Sequence, residues 1–303
     1  MRGSIFQVVL ALVVVMATVG TASARMPGVP GGGAVSPPVA PPVPLPIPAT
    51  GTTPWVILIH GFDPQVDPVA FWFYGVDIYQ QLVDAGYHVG VVSYYGTFTL
   101  SLSTGTFYAD HSFFGTTNTP IEAVANEVAK GLRSVFGSQA ITLDLVGHSM
   151  GGLVALYMLE HDRLPSMTVQ NVVFIGSPLG GAPVAQLRAY VSLSGYQASE
   201  MISGSAFLTA LKYNFPLAKL TYPRAEWLVY AGEADPAWGW AIFHAPNDGL
   251  VSVLSDTALG YDHLYYFPDL HMPFLDVYDP GHVSYAEDEH VALRLLSNLA
   301  GQY

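Results

Sequence analysis

The central motif of this 303-residue chain is Ile141-Thr142-Leu143-Asp144-Leu145-Val146-Gly147-His148-Ser149-Met150-Gly151-Gly152. Its first half is an apolar run typical of a buried strand, and a helical pattern from Met150 to His161 follows it. A serine between two glycines, at a sharp turn from strand to helix, adopts a strained backbone that exposes its hydroxyl. The glycines two positions before and after it remove side chains that would collide. The motif therefore predicts that Ser149 is a nucleophile.

Apolar runs and helical patterns alternate on both sides of this motif. The predicted strands are Trp55–His60, Tyr87–Ser93, Ile141–Val146, Val172–Gly176, Glu226–Ala231 and His263–Phe267. The predicted helices are Phe71–Ala85, Ile121–Phe136, Met150–His161 and Ala286–Leu299. Near-continuous apolar strands that alternate with helices indicate an α/β fold, with a mostly parallel sheet covered by helices on both faces. Reactive groups are expected on loops at the carboxyl ends of the strands.

The first 24 residues have the composition of an export signal. Arg2 precedes an apolar run from Ile5 to Gly20, and the run ends in the small-residue pattern Ala22-Ser23-Ala24. These features predict a cleaved signal peptide over residues 1–24 and a secreted or periplasmic protein. An uncleaved membrane anchor is the alternative, although the run is shorter than the ~20 residues that a membrane span needs.

The remainder of the chain divides by composition into a linker and one large domain. Residues 25–50 contain a glycine run and then a proline-rich stretch, a composition that forms an extended spacer and buries nothing. Residues 51–303 have a suitable length for a single catalytic domain with a substantial core. We therefore predict an α/β catalytic domain over residues 51–303.

Charge and composition exclude several classes of function. Ten Lys and Arg against 23 Asp and Glu give a net charge of −13, which repels phosphate backbones, so nucleic-acid binding is not expected. A chain that is 51% hydrophobic and 11% charged is not a disordered protein. Because the chain has no cysteine, thiol catalysis, thiolate metal sites and disulfides are all excluded.

A serine nucleophile needs a histidine base, an acid that orients it, and donors for the developing oxyanion. The run Trp55–Phe62 ends in His60-Gly61-Phe62, a turn that can direct the Phe62 backbone N–H toward the site. The Met150 N–H, directly after the nucleophile, is the other predicted oxyanion donor. His60 itself is predicted to shape the turn and not to act as the base.

The chain resembles the α/β-hydrolase lipases at these motifs, and within them the bacterial lipases of the Pseudomonas and Burkholderia type. The resemblance covers most of residues 54–300. It rests on five segments in the same order: Ile59-His60-Gly61-Phe62, Phe71-Trp72-Phe73-Tyr74-Gly75-Val76, Gly147-His148-Ser149-Met150-Gly151-Gly152, Ile175-Gly176-Ser177-Pro178-Leu179-Gly180-Gly181 and Asn247-Asp248-Gly249-Leu250-Val251-Ser252. It implies ester hydrolysis through an acyl-enzyme, with the triad in the order Ser, Asp, His.

The sequence also departs from those lipases. It has no cysteine pair, and no acid stands two residues after His271, where the family carries one of its calcium ligands. We therefore expect no structural calcium and no cofactor. Chelation should change activity little, unless carboxylates such as Asp269, Asp276 or Asp279 build a metal site.

Each of the two partners of Ser149 has a preferred candidate and a rival. Asp248 is the preferred acid because it lies in the segment that the resembled lipases use, whereas Asp235 follows the Glu226–Ala231 strand, where many α/β-hydrolases place their acid. His271 is the preferred base because it closely follows the His263–Phe267 strand. His282, in a Gly-His pair before the terminal helix, is its rival.

Other polar residues are predicted to have structural positions. Asp144 lies within a strand and is expected to be a buried, hydrogen-bonded group. The histidines at 111, 161, 244 and 263 are expected in loops or at the surface.

Two segments could cover an acyl site. The long insertion Ala182–Pro216 carries many apolar residues and would form either a mobile lid or a packed pair of helices. The aromatic stretch Phe98–Phe114 would either line the same opening or pack as an ordinary loop. The sequence does not choose between these alternatives.

The predicted function is a secreted serine ester hydrolase, a lipase or carboxylesterase, that acts on acyl esters or lipids and makes transient contact with a lipid interface. An acyltransferase, a polyester depolymerase or a peptidase would use the same residues. A non-catalytic binding protein on the same fold is the alternative from another class. The oligomeric state is not predicted.

Overall fold

A computed structural model of the chain describes residues 54–62, 68–137, 139–182, 195–236, 245–271 and 283–303. The predicted signal peptide and linker, residues 1–50, lie outside the described residues. So do His244, His282, Asp276, Asp279 and the segment 183–194 of the predicted lid.

The described residues form eight strands and seven α-helices. The strands are β1 (Trp55–Ile59), β2 (His88–Ser93), β3 (Gly96–Leu102), β4 (Phe107–Gly115), β5 (Ile141–His148), β6 (Met167–Ile175), β7 (Glu226–Gly232) and β8 (His263–Phe267). The helices are α1 (Ile78–Asp84), α2 (Ile121–Phe136), α3 (Met150–Glu160), α4 (Tyr196–Glu200), α5 (Ala206–Thr221), α6 (Val253–Asp256) and α7 (Glu289–Leu299). A short 3-10 helix, Pro68–Phe73, precedes α1.

All eight strands belong to one sheet, in the order β4-β3-β2-β1-β5-β6-β7-β8. Six neighbouring strands pair in parallel: β2, β1, β5, β6, β7 and β8. Beyond β2, strands β3 and β4 form an antiparallel edge of the sheet. In the register, Ile59 pairs with Gly147, and His148 pairs with Ile175. The carboxyl ends of β1, β5 and β6 therefore meet beside Ser149.

Helices cover both faces of the sheet, as predicted from the apolar strands. Alternate residues of β1 point to opposite sides, so Ile57 packs with α2 and α3 while Leu58 packs with α1 and α7. Both are fully buried. Each face thus has its own hydrophobic core, and the α/β class with a mostly parallel sheet is confirmed.

The aromatic stretch Phe98–Phe114 is not the ordinary loop that was one of its two predicted alternatives. It forms β3 and β4, in which Phe98, Leu100 and Leu102 are buried and alternate with half-buried or exposed polar residues. This period of two is the strand signal that the aromatic content concealed. Phe107 and Phe114 remain exposed on the edge strand.

Several predicted boundaries also differ. The helix predicted over Phe71–Ala85 is divided, because Gly75 has φ 60° and Asp77 begins α1 by accepting a hydrogen bond from the Gln80 amide. The terminal helix begins at Glu289 and not at 286, because Asp288 caps its first turn by accepting from the His290 amide. No described helix is long and apolar enough to cross a membrane.

The described part of the predicted lid segment is a pair of packed helices, α4 and α5. The buried face of α5 carries Leu208, Leu211 and Phe215, which join the same core as α3. Phe215 packs edge-on against the buried Trp227 of β7, with 5.1 Å between ring centroids. These helices are therefore anchored to the body of the domain.

Candidate active site

Ser149 sits on a strained turn between β5 and α3. Its φ of 53° and ψ of −126° lie in a region that non-glycine residues rarely adopt, and its amide donates to the Ile175 carbonyl at 2.9 Å. A Cβ at Gly151 would lie 2.1 Å from the Ile59 carbonyl oxygen, and one at Gly147 would lie 2.5 Å from the Gly152 nitrogen. The two flanking glycines are therefore required by close backbone contacts.

The turn after β1 lies against this serine. A Cβ at Gly61 would come within 2.8 Å of the Ser149 Cβ, so the Gly61-Phe62 backbone can pass beside the hydroxyl only without a side chain there. Met150 is the first residue of α3, where a backbone N–H has no acceptor within the helix. The Gly61-Phe62 turn and Met150, which carry the two predicted oxyanion donors, thus both adjoin Ser149.

Asp248 and His271 form a buried pair at the ends of β7 and β8. The His271 Nδ1 is 2.7 Å from Asp248 Oδ2, and the two side chains are 2% and 0% exposed. Asp248 Oδ1 accepts the backbone N–H groups of Leu250 at 2.9 Å and Val251 at 2.6 Å. The His271 amide also donates to the Asp248 carbonyl at 2.9 Å. This geometry holds the carboxylate with one oxygen on the backbone and the other on the imidazole.

The pair adjoins the serine turn through Gly176, the residue after β6. A Cβ at Gly176 would lie 2.9 Å from His271 Nδ1 and 3.0 Å from Asp248 Oδ2, and its neighbour Ile175 accepts the Ser149 amide. The ring of His148 lies 4.8 Å from the His271 ring, and its Nε2 donates to the His271 carbonyl at 3.2 Å. The structure therefore brings Ser149, Asp248 and His271 to one edge of the sheet.

Two neighbouring histidines remain neutral. Burial lowers the pKa of His60 to about 3, although a hydrogen bond to the Gly61 carbonyl opposes the shift. Burial, with a smaller contribution from His271, also lowers the pKa of His148 well below its usual value. His60 stacks on Tyr94 with 3.8 Å between ring centroids and receives the Tyr94 amide at 3.4 Å, which agrees with its predicted role in shaping the turn.

The rival acid has a different partner. Asp235 Oδ1 accepts the Asn247 amide at 2.8 Å, and the Asp235 amide donates to the Asn247 carbonyl at 2.9 Å. Its side chain therefore ties two loops together one residue away from Asp248. His282 lies outside the described residues.

The other histidines named from the sequence lie on strand β4, at the end of α3 and on strand β8. His111 is exposed on β4, His161 is exposed after α3 and stacks on Tyr157, and His263 stacks on Tyr303. His111 and His161 are thus at the surface, as predicted, whereas His263 is a half-buried strand residue. Asp144 is fully buried and accepts a hydrogen bond from Asn171 at 2.8 Å, as predicted.

Three features near the pair were missed in the sequence. The Tyr285 hydroxyl, fully buried, donates to Asp248 Oδ2 at 3.2 Å. Burial, with the charge of Asp248, raises the pKa of Asp256 well above its usual value. Burial, with the charge of Asp288, raises the pKa of Asp269 to about 8. No spacing or motif in the sequence links these residues to Asp248.

Neither Asp256 nor Asp269 has a hydrogen-bond partner for its carboxylate among the described residues. No cluster of three metal-ligating side chains occurs in the part of the chain that the structure describes. The expectation that calcium is not required stays a prediction.

A cleft of about 440 Å³ opens beside the loop that carries Asp248. Its apolar lining includes Leu179, which follows β6, together with Leu208, Leu254 and Ala258. Lys212 and Ser252 supply polar groups. An apolar cleft with a few polar groups at its edge is the usual form of a small-molecule site.

Comparison with known proteins places the fold. A family model described as a PGAP1-like alpha/beta domain matches residues 118–206. The mature form of the Bacillus licheniformis lipase BlEst2 is 17% identical, with a TM-score of 0.50 over 76% of this chain and 88% of that chain. Phospholipase PlaB from Legionella pneumophila is 12% identical, with a TM-score of 0.52 over 82% of this chain and 60% of that chain. No curated protein sequence matches the chain.

The propeptide form of the same Bacillus lipase is 15% identical, with a TM-score of 0.54, and the chain covers 52% of its length. At such low identity these similarities show the fold, which is that of the α/β-hydrolases. The narrower resemblance to the Pseudomonas and Burkholderia lipases stays a hypothesis.

Proposed function

We propose that the protein is a secreted serine ester hydrolase, a lipase or carboxylesterase. The observation that carries the proposal is the buried Asp248–His271 pair beside a serine held on a strained strand-to-helix turn. An ordinary surface serine needs neither feature. In a hydrolase they supply an exposed nucleophile and an oriented base.

The proposed reaction follows from these positions. Ser149 Oγ attacks the acyl carbonyl while His271 Nε2 takes its proton, and Asp248 stabilises the imidazolium through Nδ1. The N–H groups of Phe62 and Met150 donate to the oxyanion of the tetrahedral intermediate. His271 then gives its proton to the departing alcohol, and water hydrolyses the acyl-enzyme by the same steps in reverse order. The cleft lined by Leu179 and Leu208 would hold the acyl chain.

The outer face of α5 supports contact with a lipid interface. Tyr213, Leu217 and Leu220 are 85%, 54% and 77% exposed and follow helical spacing on the side opposite the buried face. Lys212 lies beside this stripe, Lys219 pairs with Asp262 at 2.8 Å, and α5 itself contains no acidic residue. A helix with an exposed apolar stripe suits contact with a lipid interface.

The decisive experiment is p-nitrophenyl ester hydrolysis together with labelling by a serine-reactive phosphonate. We expect the wild-type protein to hydrolyse the ester and to carry the label on the peptide that contains Ser149. Ser149→Ala should fold but lose several orders of magnitude in kcat, because only binding and the oxyanion donors remain. Ser134→Ala, which removes an exposed hydroxyl on α2, is the matched control and should keep full activity.

The alternatives give different results in the same assays. Wild-type turnover in Ser149→Ala would refute the mechanism, and the absence of both turnover and label would favour a non-catalytic binding protein. An acyltransferase would transfer the acyl group to an added alcohol in preference to water. Export is tested separately: the exported protein should begin near Arg25, and recovery of Met1 at its N-terminus would favour a membrane anchor.

A further inference from the structure

The peptide bond between Gly61 and Phe62 carries one of the two proposed oxyanion donors, the Phe62 N–H. A peptide bond is planar and trans, so its carbonyl and its N–H point in opposite directions. Groups that hold the Gly61 carbonyl therefore also set the direction of the Phe62 N–H.

Two buried side chains hold that carbonyl. His60 Nδ1 donates to the Gly61 oxygen at 2.8 Å, and the Tyr94 hydroxyl donates to the same oxygen at 3.2 Å. The hydroxyl also donates to the His60 carbonyl, so its single proton is shared between two consecutive carbonyls. Both side chains are fully buried, so bulk water does not compete for these hydrogen bonds. Tyr94 thus contacts both peptide bonds of the turn from His60 to Phe62.

The backbone of Tyr94 also fixes the tautomer of His60. A carbonyl can only accept, so Nδ1 of His60 carries the ring proton and Nε2 carries a lone pair. That lone pair accepts the Tyr94 amide at 3.4 Å, and the two rings stack with 3.8 Å between their centroids. Burial lowers the pKa of His60 to about 3, so the ring stays neutral in this tautomer. Tyr94 therefore holds the Gly61 carbonyl directly and also through His60.

The strand order decides which way the Phe62 N–H is directed. Tyr94 directly follows β2, and β2 and β5 lie on opposite sides of β1 in the sheet. Ser149 directly follows β5, and a Cβ at Gly61 would lie 2.8 Å from the Ser149 Cβ. A carbonyl held by Tyr94 faces the β2 side, so the N–H of the same peptide faces the side on which Ser149 lies.

We propose that Tyr94 is a positioning residue for ester hydrolysis: together with His60 it holds the Gly61 carbonyl, so that the Phe62 N–H is aimed at the oxyanion beside Ser149. The inference rests on the proposed function, since it concerns a donor to the same tetrahedral intermediate. A carbonyl that accepts two hydrogen bonds also polarises its own peptide, which makes the N–H a stronger donor. Tyr94 acts only through the turn and does not exchange a proton with the substrate.

The first test is Tyr94→Phe, which removes the hydroxyl and keeps the stacked ring. Loss of a whole oxyanion donor lowers kcat by roughly 10²–10³-fold. Because the His60 hydrogen bond to Gly61 remains, we expect a smaller loss in kcat, of about tenfold. KM should stay within about twofold, because the donor acts on the charge of the transition state and not on the bound ester.

A pair of substrates separates positioning from a general loss of structure. The pair is p-nitrophenyl acetate and the thionoester in which sulfur replaces its carbonyl oxygen. Sulfur accepts hydrogen bonds weakly, so the thionoester gains little from the oxyanion donors, and Tyr94→Phe should lower its kcat by less than about twofold. A variant that was merely less well folded would lose activity equally toward both esters.

Tyr230→Phe is the matched control. Tyr230 is also fully buried, and its hydroxyl donates to Asn298 Oδ1 at 2.6 Å, away from the turn after β1. This variant should lose a comparable amount of thermal stability but keep kcat within about twofold of wild type for both esters.

His60→Phe is the second variant, for the case that Tyr94→Phe does not fold. It keeps a ring that can stack on Tyr94 and removes both ring nitrogens, and with them the 2.8 Å hydrogen bond to the Gly61 carbonyl. It should show the same selective loss for the oxygen ester, of about tenfold or more.

The failure of this inference differs from the failure of the proposed function. Wild-type turnover with an unchanged kcat in Tyr94→Phe, or an equal loss toward the oxygen ester and the thionoester, would overturn the role of Tyr94 alone. A wild-type protein that neither hydrolyses the ester nor accepts the phosphonate label would refute the proposed function, and the role of Tyr94 with it. A selective loss for the oxygen ester in Tyr94→Phe, absent from Tyr230→Phe, is the expected result.

Discussion

Replacing Asp248 by Asn should leave the fold intact and remove nearly all ester hydrolysis. In the native structure Asp248 Oδ1 accepts two backbone N–H groups, at 2.9 Å and 2.6 Å, while Oδ2 faces His271 Nδ1 at 2.7 Å. The amide oxygen of Asn has to take the Oδ1 position, because only an acceptor satisfies the two N–H groups. Its NH₂ group is then directed at His271 Nδ1.

This orientation forces His271 into the wrong tautomer. Nδ1 has to accept a hydrogen bond, so the imidazole proton moves to Nε2, which then cannot take the proton of Ser149. The same change in serine hydrolases with this constellation lowers kcat by roughly 10⁴-fold. We expect a loss of that order, which corresponds to about 5.5 kcal/mol of transition-state stabilisation.

The assay is kcat for a p-nitrophenyl ester, with thermal unfolding as a check that the variant folds. Asp235→Asn is the matched control, because Asp235 is the rival acid and its side chain contacts Asn247 instead of His271. It should keep kcat within about threefold of wild type. If a folded Asp248→Asn protein retained more than a few per cent of kcat, or if Asp235→Asn lost as much, the assignment of the acid would be wrong.

Three further predictions test the surroundings of this pair. His271→Ala should cost about as much kcat as Ser149→Ala while His282→Ala keeps most of it, since triad members act as a unit; the opposite result would move the base to His282. Tyr285→Phe removes a 3.2 Å hydrogen bond to the Asp248 carboxylate, which is worth about 1 kcal/mol, so kcat should fall about fivefold. An unchanged kcat would show that the hydroxyl does not support the acid. The pKa of Asp269 is raised from 3.8 to about 8 in the folded protein, so the fold favours the protonated carboxyl. The stability gained from this preference is fully present below pH 3.8 and is lost as the pH rises toward 8. Asp269→Asn cannot ionise, so its Tm relative to wild type should increase between pH 5 and pH 8, and a constant difference would contradict the raised pKa.

Much of the fold could be read from the sequence because its signals are local. A buried parallel strand is a continuous apolar run, and five of the six parallel strands, β1, β2, β5, β7 and β8, were anticipated within two residues at each end. The antiparallel edge was missed, because one face of β4 is exposed and its aromatic residues do not form such a run. The start of β6 was missed for a similar reason, since Thr168 and Gln170 interrupt its apolar pattern.

The site divides in the same way. The residues that signal the turn at Ser149 are close in sequence, because Gly147 and Gly151 each stand two residues from the serine. The contacts that require these glycines are made with α3 and with the adjacent strand β1. Sequence could also nominate acids and bases, since carboxylates and imidazoles near strand ends are few. It preferred Asp248 to Asp235 only through the resemblance of the segment around Asp248 to that of known lipases, because both residues stand in turns between β7 and β8.

The sequence alone predicted the kind of fold and the serine turn, because the residue patterns that indicate them each lie within a few positions of the chain. Only the tertiary structure decided which carboxylate meets His271, because Asp248 and the imidazole lie 23 residues apart in the chain and come together through the order of β6, β7 and β8. The same is true of Tyr285, which reaches Asp248 across 37 residues. Contacts between loops depend on how strands pair and helices pack, and neither is encoded in a short stretch of residues.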